Sequence, residues 1–507
     1  MSESVDVVIV GSGPVGSTFA RVIGDARPGC RILVVEAGPR VPGVPGLHTQ
    51  TMPPEDLASA QLLTQGPQSG IDQSGLRETG EAASLDPVLD QDQLVRPGLF
   101  LLGKGAKVEG EFGMAAASMS SGVGGMGIHW SGSSPRPNGT ERIPFIPADE
   151  LDQAYDTADR LLSVGRDLAG GDDLLRRMRS ALAAEFDGDA PDASPVIMTP
   201  LAAVVDEDGT RVSGPSVILG DLAERVPGFE LRAGTLARRV LIEGGTVHGV
   251  ELESRATGEI YQVRSSEVVV AADALRTPQL LFASGVRPRA LGHYINDHLK
   301  MTGMAVLPDA FAADDRVPAP VRPIGVVLIP FSSRVREIQG QVHPAARSIW
   351  FSGADFAGLA FYGAKELQFS DCVVFSESER DSFGMPAMTI HYTLTDRDRA
   401  TIDLLESSAT RAVAALDGEL KSLVFAPGGS SLHYQGSTRM GAADDGESVC
   451  DSYGRVWNVH GLTVGGNNVI PTATAANPTI TSVALAVRAA QKLAERLGEP
   501  EREAEPV

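Results

Sequence analysis

The sequence has few cysteines and few cationic residues. Its three cysteines, Cys30, Cys372 and Cys450, are scattered without a CxxC spacing, so they predict small buried thiols rather than a disulfide framework or a zinc site. Lysine and arginine total 43 against 65 acidic residues, and the net charge is −22. This balance repels phosphate backbones and anionic lipids, so we expect neither a nucleic acid nor a membrane surface as a partner.

Long apolar runs are also absent, since none reaches the ~18 residues that a membrane span needs. Residues 5–10 already have the character of a core strand rather than of a signal peptide, and the expected location is the cytoplasm. The sequence contains neither a G-x-S-x-G elbow nor an H-E-x-x-H pair. Hydrolase functions therefore have little support, and no metal site is expected.

At 507 residues the chain is long enough for two hydrophobic cores, so we expect two domains. Its N-terminal part predicts a βαβ unit. Two short, continuous apolar runs, Val7–Val10 and Ile32–Val35, flank a glycine-rich turn and a helical stretch. Continuous runs of this kind are typical of parallel strands that are covered on both faces.

Three glycines, Gly11, Gly13 and Gly16, follow the first strand in the order G-x-G-x-x-G. They permit a tight turn, a close approach of the backbone to a pyrophosphate, and close packing of helix on strand. Glu36 lies at the end of the second strand, where a carboxylate can accept hydrogen bonds from ribose hydroxyls. The combination predicts a dinucleotide-binding site, and at this point FAD and NAD are both compatible with it.

Further elements follow along the chain. Residues 41–95 are rich in Pro, Gly, Gln and Asp and predict a long loop, either a lid over the site or a plain surface loop. Residues 147–163 predict a packing helix, Gly244-Gly245 a hairpin turn, and residues around 396–416 another helix.

Two later segments carry candidate functional groups. Residues 118–136, SMSSGVGGMGIHWSGSSPR, contain many small residues that let the backbone approach a flat ring, and their only imidazole is His129. The alternative is a glycine-rich loop with one core histidine. Near the C-terminus, Asn477 is predicted as the N-cap of a helix and Pro478 as its first residue. A helix N-terminus also stabilises an anion such as a reduced flavin ring, and both roles are compatible.

Together these motifs resemble the glucose–methanol–choline (GMC) flavoprotein oxidoreductases, over most of the chain. The resemblance rests on the Gly11–Gly16 loop with VVEAG, the glycine-rich residues 121–131, ADALRTPQLLFASG, LGHYINDHL and residues 432–490. Within that family the chain is most similar to the pyranose oxidases. Five motifs match their pattern in order: GGMGIHW, FSESERDSFGMP, LHYQGSTRMG, GGNNVIPT and ANPTITS.

The resemblance implies an α/β fold, with a Rossmann-type FAD-binding domain of the GMC type and a second, sheet-plus-helices substrate-binding domain. The FAD-binding domain is expected to be discontinuous, and the substrate-binding domain to be built from two segments. The predicted boundaries are 1–40, 96–140, 200–298 and 440–500 for the first domain, 141–199 and 299–439 for the second, 41–95 for the loop or lid, and 501–507 for an acidic tail.

The resemblance also implies a role for two residues. In such enzymes the histidine after Leu432 and the asparagine of the NP pair face the flavin, and here these are His433 and Asn477. His433 is expected to accept the proton of the substrate hydroxyl while hydride passes to flavin N5, and Asn477 to hydrogen-bond the developing oxyanion.

The implied cofactor site is larger. The residues expected to bind FAD are Gly11, Gly13, Gly16, Glu36, Gly124, Gly125, Met126, His129, Trp130, Ser131, Ala237, Gly466, Asn467, Pro478 and Thr479.

Among the departures from the pattern of the pyranose oxidases, Ile128 and Ala345 bear on the site, whereas Arg287, where many relatives have Gly, indicates a local loop change. His129 corresponds to the position that bears a covalent flavin link in some of them, but Ile128 replaces the preceding Thr. A covalent link and non-covalent packing under the flavin therefore both stay open. Gln341 is expected near the sugar, but Ala345 stands where an acidic residue is expected four positions later. The choice between C2 and C3 of the sugar cannot be carried over.

The expected function is FAD-dependent oxidation of a ring secondary hydroxyl of a pyranose or glycoside to a keto-sugar. Oxygen or a quinone would reoxidise the flavin, and a small-molecule sugar or glycoside is the expected partner. The alternatives are a GMC-type dehydrogenase or an oxidase of a non-sugar alcohol, a redox-silent lyase, and a non-catalytic flavin-binding module. The oligomeric state is left open.

Overall fold

The computed structural model describes residues 3–66, 98–102, 105–168, 171–189, 194–206, 209–311, 325–333, 336–345 and 355–498. The described helices are α1 Pro14–Ala26, α2 Pro54–Thr64, α3 Ala148–Leu162, α4 Asp173–Phe186, α5 Pro215–Leu219, α6 Leu222–Arg225, α7 Asp273–Ala283, α8 Asp396–Ala415 and α9 Thr479–Arg496.

The described strands are β1 Glu3–Ser4, β2 Val7–Val10, β3 Ile32–Val35, β4 Phe100–Leu101, β5 Ser118–Met119, β6 Val164–Gly165, β7 Ile197–Met198, β8 Leu201–Asp206, β9 Gly209–Val212, β10 Phe229–Arg232, β11 Thr235–Glu243, β12 Thr246–Ser254, β13 Ile260–Arg264, β14 Glu267–Val270, β15 Leu299–Leu307, β16 Val327–Ile329, β17 Ile338–Ala345, β18 Asp355–Gly363, β19 Cys372–Arg380, β20 Pro386–His391, β21 Glu419–Phe425 and β22 Leu462–Val464.

A parallel sheet in the order β10-β3-β2-β14-β22 combines strands from the N-terminal, middle and C-terminal parts of the chain. Strands β2 and β3 are buried along their whole length, and their bounds coincide with the two predicted apolar runs. Helix α1 connects them, so the predicted βαβ unit is confirmed. Helices α1 and α9 pack together on one face of the sheet, and residues of β11, β12 and β13 share a core with its other face. Because both faces are covered, its strands contain no polar alternation.

An antiparallel sheet in the order β21-β15-β18-β17-β16-β7 forms the second large unit. Helices α4 and α8 cover one of its faces, and their apolar residues share a core with β15 and β18. The predicted helix around 396–416 is α8. Its N-cap is Thr395, whose side chain accepts a hydrogen bond from Asp398 N while the Asp398 carboxylate accepts one from Thr395 N.

A smaller sheet, β1-β13-β12-β11, lies beside the parallel sheet and shares its core. Strands β11 and β12 are joined at Gly244-Gly245, where both glycines have positive φ, of 56° and 79°. This confirms the predicted hairpin turn, because two consecutive left-handed residues are what a tight hairpin with the right-handed strand twist requires. The mixed α/β architecture agrees with the fold class that the sequence predicts.

Two sequence expectations need correction. Residues 41–95 are not all loop, because α2 forms within them and Val41, Met52 and Ala60 pack against Ile128. Residues 67–97 lie outside the described residues, as does the predicted tail 501–507, so a lid function stays a prediction. The second correction concerns Pro478, which is the N-cap of α9 rather than its first residue.

The helix α3 confirms the helix predicted at 147–163 and shows where it packs. Its buried face, which includes Leu151 and Tyr155, joins the core of the parallel sheet, and the hydroxyls of Tyr155 and Thr481 lie 3.0 Å apart. The sequence had assigned 141–199 to the substrate-binding part, whereas only α4 and β7 of this range pack there. The division into domains stays a prediction.

The cysteines Cys30, Cys372 and Cys450 are free and buried, as the sequence predicts. None of the helices in the described ranges is both long enough and apolar enough to cross a bilayer. Within the same ranges, no group of three or more histidine, cysteine or acidic side chains could hold a metal ion.

The closest backbone approach in the βαβ unit generates a first prediction. A Cβ on Gly16 would overlap the carbonyl oxygen of Gly11, so Gly16→Ala forces α1 away from the sheet. We expect the free energy of unfolding to fall by about 2 kcal/mol, the usual cost of overpacking. Urea unfolding followed by tryptophan fluorescence measures this loss.

Gly29→Ala is the matched control, since a Cβ on Gly29 meets no atom within 4 Å and its φ is not in the left-handed region. Equal stability of the two variants would show that the contact of α1 with the glycine loop is not a packing constraint.

Candidate active site

A cavity of about 600 Å³ begins at the glycine loop after β2 and extends to the open face of the antiparallel sheet. It lies at the carboxyl end of β2, the usual ligand position in open parallel sheets. The predicted site residues that line it are Gly11, Gly13, Glu36, Gly125, Met126, His129, Trp130, Ser131, Ala237, Gln341, His433, Gly466, Asn467, Asn477 and Thr479. Gly16, Gly124 and Pro478 are predicted site residues that do not line it.

The glycine loop and the end of β3 form the first wall. Gly11 has φ of 103°, and a Cβ there would overlap the carbonyl oxygen of Ala271, so only glycine fits. The Glu36 carboxylate accepts hydrogen bonds from Ser12 Oγ at 2.7 Å and from Gly38 N at 2.9 Å. Burial raises the pKa of Glu36, and these donors oppose that shift. A narrow backbone cradle next to a buried carboxylate suits the pyrophosphate and ribose of a dinucleotide.

The glycine-rich segment after β5 forms the second wall. Gly124 and Gly125 both have positive φ, of 100° and 52°, and a short 3₁₀ helix, Gly125–Ile128, follows. Gly124 N donates a hydrogen bond to Ser12 Oγ at 3.0 Å, so Gly124 supports the site through Ser12 rather than by lining the cavity. Trp130 Nε1 donates to the carbonyl oxygen of Ser213 at 2.7 Å and fixes the end of this segment.

His129 lines the cavity with a neutral imidazole. Burial lowers its pKa to about 4, and the nearby His48 ring contributes in the same direction. Its Nε2 is buried and has no hydrogen-bond partner among the described residues. A buried ring nitrogen without a partner is costly in the protein alone and is compatible with a further group in the cavity.

The loop that carries His433 is held by Asp297. The Asp297 carboxylate accepts hydrogen bonds from Ser431 Oγ, from His433 N at 3.0 Å and from Gly429 N at 3.1 Å. Burial raises the pKa of Asp297 to about 6, whereas the donors and the Lys300 charge lower it. Leu432 has φ of 61°, a strained conformation for a non-glycine residue that persists only where the surroundings impose it.

The ring nitrogens of His433 have different partners. Nδ1 lies 3.0 Å from His298 Nδ1, and Asn477 Nδ2 lies 3.3 Å from Nε2. Burial, followed by the Lys300 charge, lowers the pKa of His298 to about 3, so that ring carries a single proton. If that proton is on Nε2, 3.2 Å from Thr474 Oγ1, then His433 donates from Nδ1 and leaves Nε2 as an acceptor facing the cavity.

Asn477 does not cap α9, which corrects the sequence expectation. No side chain caps that helix, and the Asn477 side chain instead points into the cavity. Its Oδ1 accepts hydrogen bonds from Gln341 Nε2 at 2.7 Å and from Gln339 Nε2 at 2.9 Å, and Ser133 Oγ lies 3.3 Å away. These three buried donors fix the side-chain amide in the cavity, and Pro478 occupies the N-cap position of α9.

Comparison with models of protein families shows to which family the chain belongs. Two family models match it, both described as GMC oxidoreductase, over residues 143–300 and 369–486. The chain belongs to the GMC oxidoreductase family. It is therefore an oxidoreductase, and because members of this family are flavoproteins, FAD is the implied cofactor. The glycine cradle, Glu36 and the unpartnered His129 nitrogen fit such a group.

Individual relatives extend the comparison. A C-glycoside 3-oxidase from Arthrobacter globiformis is 42% identical over 97% of this chain and 96% of its own length. A C-glycoside 3-oxidase from Microbacterium trichothecenolyticum is 41% identical over 97% of each chain. A pyranose 2-oxidase from Tricholoma matsutake is 28% identical over 97% of this chain and 94% of its own.

Among solved structures, pyridoxine 4-oxidase from Mesorbium loti superposes with a TM-score of 0.61 at 18% identity, covering 96% of this chain and 99% of its own. At this identity the likeness concerns the fold alone, and it agrees with the fold class that the sequence predicts.

Sequence reasoning missed several residues of this GMC site. Glu141 is one of them: its buried carboxylate accepts hydrogen bonds from Ala475 N at 2.7 Å and Ala476 N at 2.9 Å, next to Asn477. Burial raises its pKa to about 7. The pair Asp297-His298 lies within the motif LGHYINDHL and could have been singled out there. The local spacing Asn138-x-x-Glu141 is that of a capping box, and Asn138 N also donates to the Glu141 carboxylate, at 2.9 Å. That spacing signals only a helix cap, because the partners Ala475 and Ala476 are more than 300 positions away.

The neutral state of His129 predicts a pH dependence of stability. The unfolded state binds a proton at this ring below pH 6.5, whereas the folded state does so only below a pH of about 4. The stability contributed by the neutral ring is therefore full above pH 6.5 and is lost as the pH falls toward 4. Relative to the wild type, His129→Phe should gain up to about 3 kcal/mol in unfolding free energy on acidification from neutral pH.

Urea unfolding of both proteins across this pH range measures the difference. His460→Phe is the control because His460 is exposed. A difference between His129→Phe and the wild type that stays constant with pH would contradict the buried neutral ring.

Proposed function

We propose that this GMC oxidoreductase uses FAD to oxidise a ring secondary hydroxyl of a glycoside, at C3 of the sugar, to the keto-sugar. The two C-glycoside 3-oxidases, at 42% and 41% identity over nearly the whole chain, support C3 and a glycoside. The pyranose 2-oxidase, at 28% identity, supports the wider class of pyranose substrates.

One observation carries the proposal: His433 Nε2 and Asn477 Nδ2 lie 3.3 Å apart in the cavity that also contains the glycine loop. An oxygen atom placed against both can lose its proton to one and accept a hydrogen bond from the other. A proton acceptor and a neutral donor converging on one position are what oxidation of a hydroxyl requires.

The chain's own residues would act in a simple order. The substrate hydroxyl donates to His433 Nε2, which takes the proton as the C–H bond is weakened. Asn477 Nδ2 donates to the oxygen as negative charge develops there. FAD, when bound, supplies the hydride acceptor. Asn477 is buried and His433 is half-buried, which limits the access of bulk water to the oxygen.

The antiparallel sheet would contact the sugar. Gly303, Gly358 and Ala360 line this side of the cavity and leave space for a bulky ring. The ring of Tyr362 lies with its centroid 5.4 Å from that of His433 and offers an aromatic surface next to the base. An open floor of small residues beside an aromatic ring favours a glycoside over a small linear alcohol.

The visible spectrum of the purified protein under anaerobic conditions tests the proposal. Addition of a C-glycoside should bleach the flavin band, and NMR of the product should locate the keto group at C3. A keto group at C2, or bleaching by D-glucose alone, would favour a pyranose 2-oxidase activity. An unbleached yellow protein with every sugar would overturn the proposal in favour of a non-sugar alcohol or a lyase.

The electron acceptor is proposed to be oxygen, in line with the names of the oxidases above. Steady-state turnover with air and with benzoquinone distinguishes an oxidase from a dehydrogenase. Turnover with the quinone alone would contradict an oxidase.

Removal of the proposed base should slow turnover strongly. We expect His433→Ala to reduce kcat by about 10²–10⁴-fold, the range in which positioned general bases contribute. His460→Ala is the control because its imidazole is exposed. The flavin absorbance of both variants should remain, since His433 contacts the substrate side of the cavity. Near-normal turnover of His433→Ala would rule out His433 as the base.

A covalent link between FAD and His129 is a separate proposal, supported by the unpartnered Nε2 of this residue, which lines the cavity. Denaturation with acid should leave yellow colour on the wild-type protein and release it from His129→Ala. Full release from the wild type would show that FAD is bound without a covalent bond.

A further inference from the structure

The amide oxygen of Asn477 has no free hydrogen-bonding capacity. Gln341 Nε2 and Gln339 Nε2 donate to it at 2.7 and 2.9 Å, and Ser133 Oγ approaches to 3.3 Å. A carbonyl oxygen has two lone pairs, which the glutamines alone can fill. Only the Nδ2 end of Asn477 is left to face His433.

The two glutamines reach the same atom because of their position on β17. Residues two apart on a strand point to the same face, and Gln339 and Gln341 pair with Tyr362 and Ala360 on the neighbouring strand β18. Both are buried, with 1% and 7% of their surface exposed. Water therefore cannot replace either donor easily.

The orientation of this amide is coupled to the proton position on His433. With Nδ2 toward His433, Nε2 has to accept, and the ring proton sits on Nδ1 facing His298 Nδ1 at 3.0 Å. With the amide reversed, Oδ1 would face Nε2, and the ring proton would move to Nε2. A ring in that state cannot take a proton from the substrate at the atom that faces the cavity.

We propose that Gln339 and Gln341 are positioning residues that fix the Asn477 amide with its N–H groups toward the substrate oxygen, and thereby keep His433 Nε2 unprotonated. The proposal rests on the proposed oxidation at His433, and it changes the role of Gln341. Both N–H groups of Gln341 are committed, one to Asn477 Oδ1 and the other to Ser133 Oγ at 2.9 Å. Gln341 can therefore meet a sugar only through its carbonyl oxygen.

The substitution Gln339→Glu tests the positioning role of Gln339, because the two side chains have nearly the same shape. An ionised carboxylate only accepts hydrogen bonds, so it should turn the Asn477 amide around. The ring proton of His433 should then move from Nδ1 to Nε2. We expect kcat to fall by about 10²-fold, as for loss of one oxyanion donor, with a much smaller change in KM. Gln339→Met removes the donor without reversing the amide and should lose only about tenfold, as for one modest hydrogen bond.

Lowering the pH should partly restore the kcat of Gln339→Glu, because a protonated Glu at this position donates a hydrogen bond as Gln339 does. The wild type gives the reference profile, because other groups near His433 and Asn477 also titrate. His343, His433 and Lys300 line the same cavity, and His298 contacts the His433 ring. Asp297 and Glu141, whose pKa values burial raises, bind the backbone of His433 and the backbone before Asn477. The control is Gln153→Glu, the same chemical change at an exposed position of α3. Absence of acid recovery in Gln339→Glu would contradict the donor role.

A second measurement needs no substrate. In protein labelled with ¹⁵N at histidine, the His433 signal, identified by its loss in His433→Ala, should show a proton on Nδ1 in the wild type and on Nε2 in Gln339→Glu. A wild-type ring protonated on Nε2, or an unchanged ring in Gln339→Glu, overturns the inference. If the expected ring states are found but no glycoside is oxidised, the proposed substrate fails and the positioning role stands.

Discussion

The carboxylate of Asp297 is the interaction on which the site depends most. It binds three groups of the loop 429–433, and it lies directly before His298, which contacts the His433 ring. The same segment continues into β15, the second strand of the antiparallel sheet. The segment Asp297–His298 thus positions the His433 loop, contacts the His433 ring, and connects both to the sheet that would contact the substrate.

Glu141 holds the segment that carries Asn477, as Asp297 holds the loop that carries His433. It binds the backbone just before Asn477, while β17 holds the Asn477 side chain from the opposite direction. Both carboxylates are buried and have raised pKa values because burial disfavours their charged forms. Each is surrounded by backbone donors that offset part of this cost. Fixed polar groups of this kind do not have to reorganise when charge develops on a substrate, which is a main source of enzymatic rate acceleration.

The cavity lies between two sheets that contribute different residues to it. The parallel sheet ends in a glycine loop with φ values that only glycine adopts readily, as at Gly11, and so allows a cofactor to lie close to the backbone. The antiparallel sheet presents small side chains and the two glutamines to the same space. Since His433 and Asn477 lie on loops outside both sheets, their geometry depends on how the sheets are held together.

Local patterns predicted much of the fold. Strands β2 and β3, the turn at Gly244-Gly245 and helix α8 follow from apolar periodicity, glycine chemistry and helix capping, which act between residues close in sequence. The ordered motifs identified the family and the candidate pair His433 and Asn477. Local capping rules failed at Asn477, because three distant donors compete for its side chain, and the composition of 41–95 did not reveal α2.

The sequence by itself determined the βαβ unit with its glycine loop and the family, and it singled out the candidate pair His433 and Asn477, because these depend on short-range patterns in the chain. Only the tertiary structure decided which way the Asn477 amide points, that Gln341 is committed to Asn477, and that Glu141 and Asp297 hold the two loops. Those interactions join residues more than 130 positions apart. No local pattern encodes them, since each partner is selected by the packing of sheets that are complete only in the folded protein.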